Sequence, residues 1–318
     1  MMNVRKIIKR YYNLDIDRVK KLNGYENENF LVYSKGSKYI FKTYAYSDLL
    51  FRLVQAENKV LLQLSCNDGF LIPTPIPTID LRYELKHEFA GQVNIVRLLS
   101  YLEGKSIGFV ESNSDLYKTF GQFLAKMDIA LSKIDNEVIK KRKSEWNIIH
   151  FEMNAPLLNY INDPIDRKML KSVFDDYRTY VVPSLHLLNC TLIHNDANDY
   201  NVMVSKGKIS GIIDFGDLAY APRINELAVA IAYAGLCKEN PIRWAKIIVQ
   251  SYIDVIPLDN NELDLLYYFI TARLATSILN ANYSRMINPE NRYAYSSEKE
   301  AMKTLKWWLE NYTKKPMV

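Results

Sequence analysis

Four polar side chains stand at defined distances in one part of the sequence: His194, Asp196, Asn201 and, after a further apolar run, Asp214. A carboxylate such as Asp196 can orient a hydroxyl group and take its proton, which is general-base chemistry. Asn201 and Asp214 offer hard oxygen ligands of the kind that Mg²⁺ prefers, and Mg²⁺ usually takes only one or two from a protein. These residue types predict a general base beside a magnesium site.

The spacing reads H-x-D-x-x-x-x-N followed by D-F-G, the pattern of the catalytic loop and metal-binding segment of protein kinases. Residues 191–215 also have strand-like runs, two of them joined by a turn at Lys206 and Gly207. Strand ends joined in this way are expected to bring Asn201 and Asp214 to the same side of a cleft. Alone, a segment such as NDAND is more often an Asx-turn than an active site. The joint pattern favours phosphoryl transfer.

A second candidate pair lies upstream. The helix predicted from Ser47 has apolar residues at i, i+3 and i+4 spacing, and Glu57 falls within this stripe. Because a buried carboxylate needs a partner, we expect Glu57 to pair with Lys42, which ends the strand KYIFK. A strand lysine bonded to nucleotide phosphates and held by a helix glutamate is the kinase arrangement. The alternative is that Glu57 reaches solvent and Lys42 is a surface residue.

The order of elements predicts an α+β protein. Strands are expected at 28–34, 38–44, 83–90 and 93–102, with one helix from Ser47 that stops at Gly69. Helices are expected at 114–131, from Pro164 to about residue 188, and in several segments after Pro222. We therefore expect an N-terminal nucleotide-binding lobe over residues 1–103 and a helical lobe with the catalytic loop and substrate site over residues 104–318.

Composition excludes several classes of protein. The 318 residues carry a formal charge of +5 without a long basic run, so a nucleic-acid partner is not expected. No apolar stretch has the roughly 18 residues of a membrane span, so we expect a cytoplasmic protein without a membrane partner. Cys66, Cys190 and Cys237 are far apart and are expected to be buried reduced thiols. The sequence leaves the oligomeric state open.

Three longer segments resemble a known group of enzymes. GYENENFLV, HNDANDYNVMV and GIIDFGDLAYAPRINELAVAIAYA are similar to the aminoglycoside phosphotransferase and choline kinase superfamily, and most similar to its hydroxylysine kinase branch. The resemblance covers nearly the whole chain. It implies a two-lobed protein-kinase-like fold that uses Mg²⁺ and transfers the γ-phosphate of ATP or GTP to a hydroxyl of a small amine or amino acid. The family commonly has Gly where this chain has Asn195.

The resemblance also implies a role for individual residues. Asp196 is the expected catalytic base, Asn201 and Asp214 the metal ligands, and Lys42, held by Glu57, the phosphate contact. Because the segment LNGYENENF has one glycine, the phosphates would be held by backbone amides and by Asn27 and Asn29. The purine is expected against the linker around Ser100 and Leu102. His194 and Glu226 are expected to brace the loop.

Local charge points to a cationic acceptor. Residues 194–226 contain five acids and three bases in a chain that is basic overall. Asp199 and Asp217 are therefore candidates for binding an ammonium group, although either can instead cap a turn. A homoserine kinase and an aminoglycoside phosphotransferase remain alternatives, and from another class a nucleotide-binding pseudokinase scaffold. A protein kinase is disfavoured because no A-P-E segment follows DFGD.

Overall fold

The computed structural model describes residues 3–24, 27–65 and 71–312. The chain divides into two compact units, Met1–Glu103 and Gly104–Val318. The first unit is built on an antiparallel sheet, whereas the second consists mainly of helices. The predicted α+β class is therefore confirmed.

The N-terminal unit is organised around an antiparallel sheet whose strands differ in length. Its strands are β1 (Arg18–Leu22), β2 (Glu28–Ser34), β3 (Ser37–Ala45), β4 (Pro75–Ile76), β5 (Leu85–Phe89) and β6 (Gln92–Ser100). The order of strands across the sheet begins β1-β2-β3-β6. Both β4 and β5 pair with the other edge of β6. Lys35 and Gly36 both have positive φ, as a two-residue turn between twisted antiparallel strands requires.

Two helices pack against this sheet, α1 (Val4–Tyr12) and α2 (Asp48–Leu64). Neither α1 nor β1 was expected from the sequence. Helix α2 begins where expected, because the Ser47 side chain accepts a hydrogen bond from the backbone N–H of Leu50. Its last helical residue is Leu64, whereas the expected stop at Gly69 lies outside the described residues, as does Cys66.

The C-terminal unit contains most of the helices. They are α3 (Ser114–Leu131), α4 (Glu137–Lys140), α5 (Pro164–Asp176), α6 (Arg223–Ala234), α7 (Pro241–Ile253), α8 (Asn260–Ile287) and α9 (Glu298–Asn311). The helix expected from Pro164 to about residue 188 is α-helical only to Asp176. It continues as a π turn and then a 3₁₀ segment around Pro183, which has no backbone N–H to donate.

The centre of this unit is α8, most of whose residues are buried. Helices α6 and α9 pack against it, and α3 packs against α7. The contact between α3 and α7 is close, because a Cβ added to Gly121 would collide with the Ser251 hydroxyl and the Ile248 carbonyl oxygen. In the described part of the chain, no helix combines the length and the apolar character needed to cross a membrane.

The strands of the second unit form two small sheets. They are β7 (Lys105–Ser106), β8 (Cys190–Ile193), β9 (Val202–Ser205), β10 (Lys208–Ile212) and β11 (Ala219–Pro222). The predicted hairpin is formed by β9 and β10, with positive φ at Lys206 and Gly207, and β7 extends it. The third predicted strand, β8, pairs instead with the unpredicted β11. The prediction of buried thiols is wrong for Cys237, which is exposed, and Cys190 is only half-buried.

Candidate active site

The loop between β8 and β9 is braced by His194, whose side chain is fully buried. Its Nδ1 accepts the backbone N–H of Asp196 at 3.2 Å, and its Nε2 lies 3.1 Å from the Ile213 carbonyl oxygen. These two contacts match a neutral imidazole with its proton on Nε2. Burial lowers the pKa of His194 to about 4, so the neutral form persists near neutral pH. His194 thus ties the loop to the strand end that precedes Asp214.

A second brace reaches the loop from α6. Asn195 has a φ of 68°, a conformation that glycine adopts freely and that asparagine tolerates better than most residues. Its backbone N–H donates to Glu226 Oε2 at 2.7 Å, and its side-chain oxygen accepts from Asn225 at 2.6 Å. Burial and the nearby Asp128 raise the pKa of Glu226 to about 8. Asn195 is therefore held to α6 through both its backbone and its side chain.

Three side chains hold the carboxylate of Asp196. Arg273 Nη2 donates to Oδ1 at 2.9 Å, and Asn201 Nδ2 donates to Oδ2 at 2.7 Å. Asn198 Nδ2 lies 3.0 Å from each carboxylate oxygen. Because both oxygens accept hydrogen bonds, from the same loop and from α8, the carboxylate is fixed in one orientation.

The electrostatic surroundings of Asp196 act in opposite directions. Burial raises the pKa of Asp196 well above its usual range, and the Arg273 guanidinium lowers it. The neighbouring carboxylates Asp217 and Asp214 raise the pKa further. Asp196 is thus a poorly solvated carboxylate whose charge depends on one buried cation.

That cation, Arg273, was missed by the sequence analysis. It lies in the buried part of α8, and its Nη1 donates to the Trp146 carbonyl oxygen at 3.0 Å. The guanidinium also lies 4.9 Å from the Trp146 ring centre and 5.4 Å from that of Tyr233. The available signal was an arginine within the apolar run YYFITARLATSIL, since a buried charge requires a partner.

Asn201 and the segment before Asp214 lie side by side, because the backbone N–H of Ile213 donates to the Asn201 carbonyl oxygen at 2.9 Å. Asp214 is close enough to affect the pKa of both Asp196 and His194. The Asn201 amide nitrogen is engaged by Asp196, so Oδ1 is the side-chain atom that it can offer to a cation.

The chemistry of this pair fits a magnesium ion. Within residues 3–24, 27–65 and 71–312, no group of three or more His, Cys, Asp and Glu side chains could hold a metal. Mg²⁺ commonly takes one or two protein oxygens and completes its shell with phosphates and water. Asn201 Oδ1 and the Asp214 carboxylate supply such a set.

The two acids proposed for the substrate have different surroundings. Asp217 pairs with Arg142, whose Nη2 lies 3.3 Å from Oδ1, and burial raises the pKa of Asp217. The backbone oxygen of Asp199 accepts the N–H of Gly108 at 2.9 Å, and burial raises the pKa of its carboxyl to about 6. Asp217 thus has a cationic partner, whereas Asp199 lines a cavity.

The phenol of Tyr293 is influenced by three of the carboxylates described above. Its pKa is raised to about 12, first by burial and then by charges that include Asp214, Asp196 and Asp199. All three carboxylates therefore lie within electrostatic range of one phenol in the C-terminal unit.

In the N-terminal unit, two of the candidate phosphate residues, Asn29 and Lys42, lie in one cross-strand row with Arg97. Asn29 on β2 is opposite Lys42 on β3, and Lys42 is opposite Arg97 on β6. Residues directly opposite one another project from the same face of a sheet. The carbonyl oxygen of Asn27 approaches Gly24 so closely that a Cβ there would collide with it. The structure therefore brings Asn29 beside Lys42 and explains the single glycine of this loop.

Glu57 has a partner that the sequence analysis did not name. Arg97 Nη2 lies 2.7 Å from both carboxylate oxygens of Glu57, and Arg97 Nη1 donates to Asn58 at 2.9 Å. Arg97 is fully buried and also donates to the Tyr44 hydroxyl. Glu57 is thus buried and paired, so the solvent-exposed alternative is wrong. Its pairing with Lys42 stays a prediction.

The proposed purine contacts differ in their availability. The Ser100 N–H donates to the Thr74 carbonyl oxygen at 2.8 Å, and the Ser100 hydroxyl accepts the Thr74 N–H at 2.8 Å. These bonds commit the Ser100 amide to the unit's own structure. Leu102 is buried and lies after β6, outside regular secondary structure. A purine contact at this linker stays a prediction, with Leu102 better suited than the Ser100 amide.

A strand-rich unit followed by a helical unit, with the residues of the H-x-D-x-x-x-x-N and D-F-G patterns on loops of the second, is the arrangement expected of a kinase-like phosphotransferase. A family model described as "Phosphotransferase enzyme family" matches residues 18–263. The chain therefore belongs to this family, and it is a phosphotransferase with an alcohol group as acceptor. The predicted superfamily is confirmed.

Among characterised proteins, the chain is similar to hydroxylysine kinases. It is 29% identical to the one from Danio rerio over 313 residues, which cover 91% of this chain and 85% of the relative. It is 26% identical to the one from Xenopus laevis over 310 residues, which cover 90% and 83%.

Solved structures show the same fold at low identity. An amicoumacin kinase in complex with AMP-PNP, Ca²⁺ and its antibiotic gives a TM-score of 0.72 at 17% identity, covering 100% of this chain and 95% of that one. A microcompartment-associated aminopropanol kinase gives 0.68 at 16% identity, covering 96% of each. The predicted kinase-like fold is confirmed.

Proposed function

We propose that the protein transfers the γ-phosphate of ATP or GTP to a hydroxyl of a small, cationic amine or amino acid of the hydroxylysine type. The observation that carries this proposal is the Asp196 carboxylate, which Arg273 and Asn201 hold within electrostatic range of Asp214. The similarity to hydroxylysine kinases over about nine tenths of the chain supports this acceptor class.

In the proposed reaction, Asp196 orients the acceptor hydroxyl and accepts its proton as the new oxygen–phosphorus bond forms. The bond between the γ-phosphorus and the oxygen that bridges it to the β-phosphate breaks, so the nucleoside diphosphate leaves. Mg²⁺, when bound, neutralises the phosphate charge, and Asn201 and Asp214 would hold it. His194 and Glu226 keep the loop in place and take no proton from the substrate.

The N-terminal unit supplies the proposed nucleotide contacts. We assign Lys42, with Asn27 and Asn29, to the phosphates, and the linker near Leu102 to the purine. Glu57 acts on this site through the row that contains Lys42 and its neighbour across the strands, Arg97. We therefore propose that residues 1–103 bind the nucleotide, and that residues 104–318 carry the catalytic loop and the substrate site.

The test is a nucleotide-consumption screen with ATP and GTP against 5-hydroxylysine, homoserine, ethanolamine, choline, sugars and aminoglycosides. We expect turnover with 5-hydroxylysine or a close amino alcohol. Turnover only with homoserine or an aminoglycoside would select one of those alternatives, and the absence of turnover with every acceptor would contradict the proposal.

Replacement of the base separates catalysis from binding. We expect Asp196→Asn to lower kcat by at least about a hundredfold, since positioned general-base catalysis commonly contributes that much, with nucleotide affinity retained. The matched control is Asp254→Asn, which alters an exposed carboxylate just after α7. Near-normal turnover of Asp196→Asn would remove Asp196 from the mechanism.

A further inference from the structure

A cavity of about 100 Å³ lies beside the loop that carries Asp196. Ala197 and Asp199 of this loop line it, together with Tyr233 of α6. Its other walls come from the 3₁₀ turn Ile107–Phe109, the start of α3 and the segment after α6, all within the C-terminal unit. Since roughly 10–15 Å³ of such volume holds one water molecule, the cavity admits a group of several heavy atoms.

The cavity wall carries charges of both signs. Asp199 lines it, and the Lys238 ammonium is close enough to influence the Asp199 carboxyl. Lys238 Nζ donates to the Ser112 hydroxyl at 2.7 Å, and that hydroxyl lies 3.4 Å from the Tyr117 hydroxyl. One ammonium and two hydroxyl groups therefore line the same small cavity as a carboxylate. These three groups can donate hydrogen bonds to an anion.

We propose that this cavity binds the α-amino acid group of the acceptor, with Asp199 receiving the α-ammonium and Lys238 the α-carboxylate. This assignment rests on the proposed function and narrows its substrate class from amines and amino acids to amino acids. Opposite charges on the wall complement the opposite charges of a zwitterion. An amine without a carboxylate cannot fill the part of the cavity where Lys238, Ser112 and Tyr117 would bind an anion.

The cavity lies close to the proposed base, although Asp196 itself does not line it. Ala197 is adjacent to Asp196 in the chain, and the Tyr233 ring centre lies 5.4 Å from the Arg273 guanidinium that bonds Asp196. Tyr233 is also within electrostatic range of both Asp196 and Asp199. An amino acid with its α-carbon in the cavity would therefore extend its side-chain hydroxyl toward Asp196.

The volume also favours a small group over a ring system. Pockets for drug-sized ligands usually measure about 300–1,000 Å³. An aminoglycoside places several sugar rings near its reacting hydroxyl, whereas the amino acid head group has only a few heavy atoms. The cavity thus selects by both charge and size.

The test compares L-lysine with cadaverine, which has the same chain and terminal ammonium but no carboxylate. Neither carries a hydroxyl, so calorimetric titration measures binding without turnover. We expect the wild-type protein to bind L-lysine at least about tenfold more tightly than cadaverine, and Lys238→Met to abolish this preference. Lys238→Arg, which keeps the cation, should retain part of it. Asp199→Asn should weaken the binding of L-lysine.

The matched control is Lys246→Met, which removes an exposed lysine of α7 that does not line the cavity. It should leave the preference unchanged, and unchanged melting temperatures would show that each variant is folded. Equal wild-type affinities, or a preference that survives Lys238→Met, would overturn the assignment.

Turnover distinguishes failure of this assignment from failure of the proposed function. If ethanolamine or choline is phosphorylated but L-lysine is not preferred, the phosphotransfer proposal stands and the cavity assignment falls. If L-lysine binds in a manner that depends on Lys238, but no hydroxylated amine or amino acid is phosphorylated, the reverse holds.

Discussion

At the scale of single residues, the most informative contact is the one between Arg273 and Asp196. One guanidinium nitrogen, Nη2, donates to Oδ1 of Asp196, and the other, Nη1, donates to the Trp146 carbonyl oxygen. The bond from Arg273 favours the ionised form of the carboxylate. The proposed base therefore gains its counter-ion from Arg273, which orients it together with Asn198 and Asn201.

Replacement of Arg273 should change both the rate and its pH dependence. Without the cation, the pKa of Asp196 rises, so the base loses its proton only at higher pH. We therefore expect Arg273→Met to lower kcat by at least about tenfold and to move the acidic limb of the kcat/KM profile to higher pH. Arg273→Lys should recover part of the rate, because an ammonium keeps the charge but not the planar guanidinium.

The control for this prediction is Arg285→Met, which removes an arginine from the exposed end of the same helix, where it pairs with Glu298. A pH profile identical to the wild type in Arg273→Met would contradict a role in positioning the base. The profile is the deciding measurement, because lost packing alone lowers the rate without moving its pH limb.

At the scale of elements, a buried ion pair joins a helix to the sheet of the N-terminal unit. Glu57 on α2 and Arg97 on β6 are 2.7 Å apart, and their side chains are almost entirely shielded from solvent. Tyr44 and Asn58 complete the hydrogen bonds of the guanidinium. The pair holds α2 against β6, the strand that lies beside β3 and its residue Lys42.

Breaking this pair should destabilise the protein strongly. Arg97→Met leaves the Glu57 carboxylate buried without its counter-ion, and we expect a loss of about 3–5 kcal/mol in the free energy of unfolding. The double variant Arg97→Met, Glu57→Leu should lose less than the single variant, because no uncompensated charge remains. Urea unfolding followed by circular dichroism measures both.

The matched control is Arg82→Met, which removes an exposed arginine paired with Asp80. Exposed ion pairs contribute about 1 kcal/mol or less, so this variant should be near wild type. Equal stability of Arg97→Met and Arg82→Met would show that the buried pair contributes little.

Elements with strong local patterns were predicted well. Helix α3 was placed at its observed bounds, since its apolar period and its Asn113 cap lie within one segment. The hairpin of β9 and β10 was placed correctly because Lys206 and Gly207 supply its turn. The strand β11 was missed because it has four residues including a proline, and it is a strand only through its pairing with β8.

At the scale of the whole molecule, the question is whether nucleotide binding depends on metal. An enzyme of the proposed kind holds the nucleotide as its magnesium complex, whereas a pseudokinase scaffold can bind it without metal. We expect MgATP or MgGTP at about 100 times its Kd to add about 2.7 kcal/mol to the free energy of unfolding and to raise Tm by several degrees.

Removal of Mg²⁺ with EDTA should abolish most of this increase in Tm. The control is the Asn201→Ala, Asp214→Ala double variant, which should respond weakly to the nucleotide whether or not Mg²⁺ is present. An equal increase in Tm with and without Mg²⁺ in the wild-type protein would favour the scaffold.

The sequence alone was enough to predict the elements with strong periodicity and the enzyme class, whereas the hydrogen bonds within the loop from His194 to Asn201 were first seen in the structure. Asn198 and Asn201 reach Asp196 from positions two and five residues further along the chain, so local spacing is sufficient to predict that they are close.

The partners of the buried charges became known from the tertiary structure alone. Glu57 and Arg97 are separated by 40 positions, and Asp196 and Arg273 by 77. A charge within an apolar pattern shows that a partner is required, because desolvation without one is costly. It does not show which of several distant charges is brought close, since that depends on how the strands and helices pack.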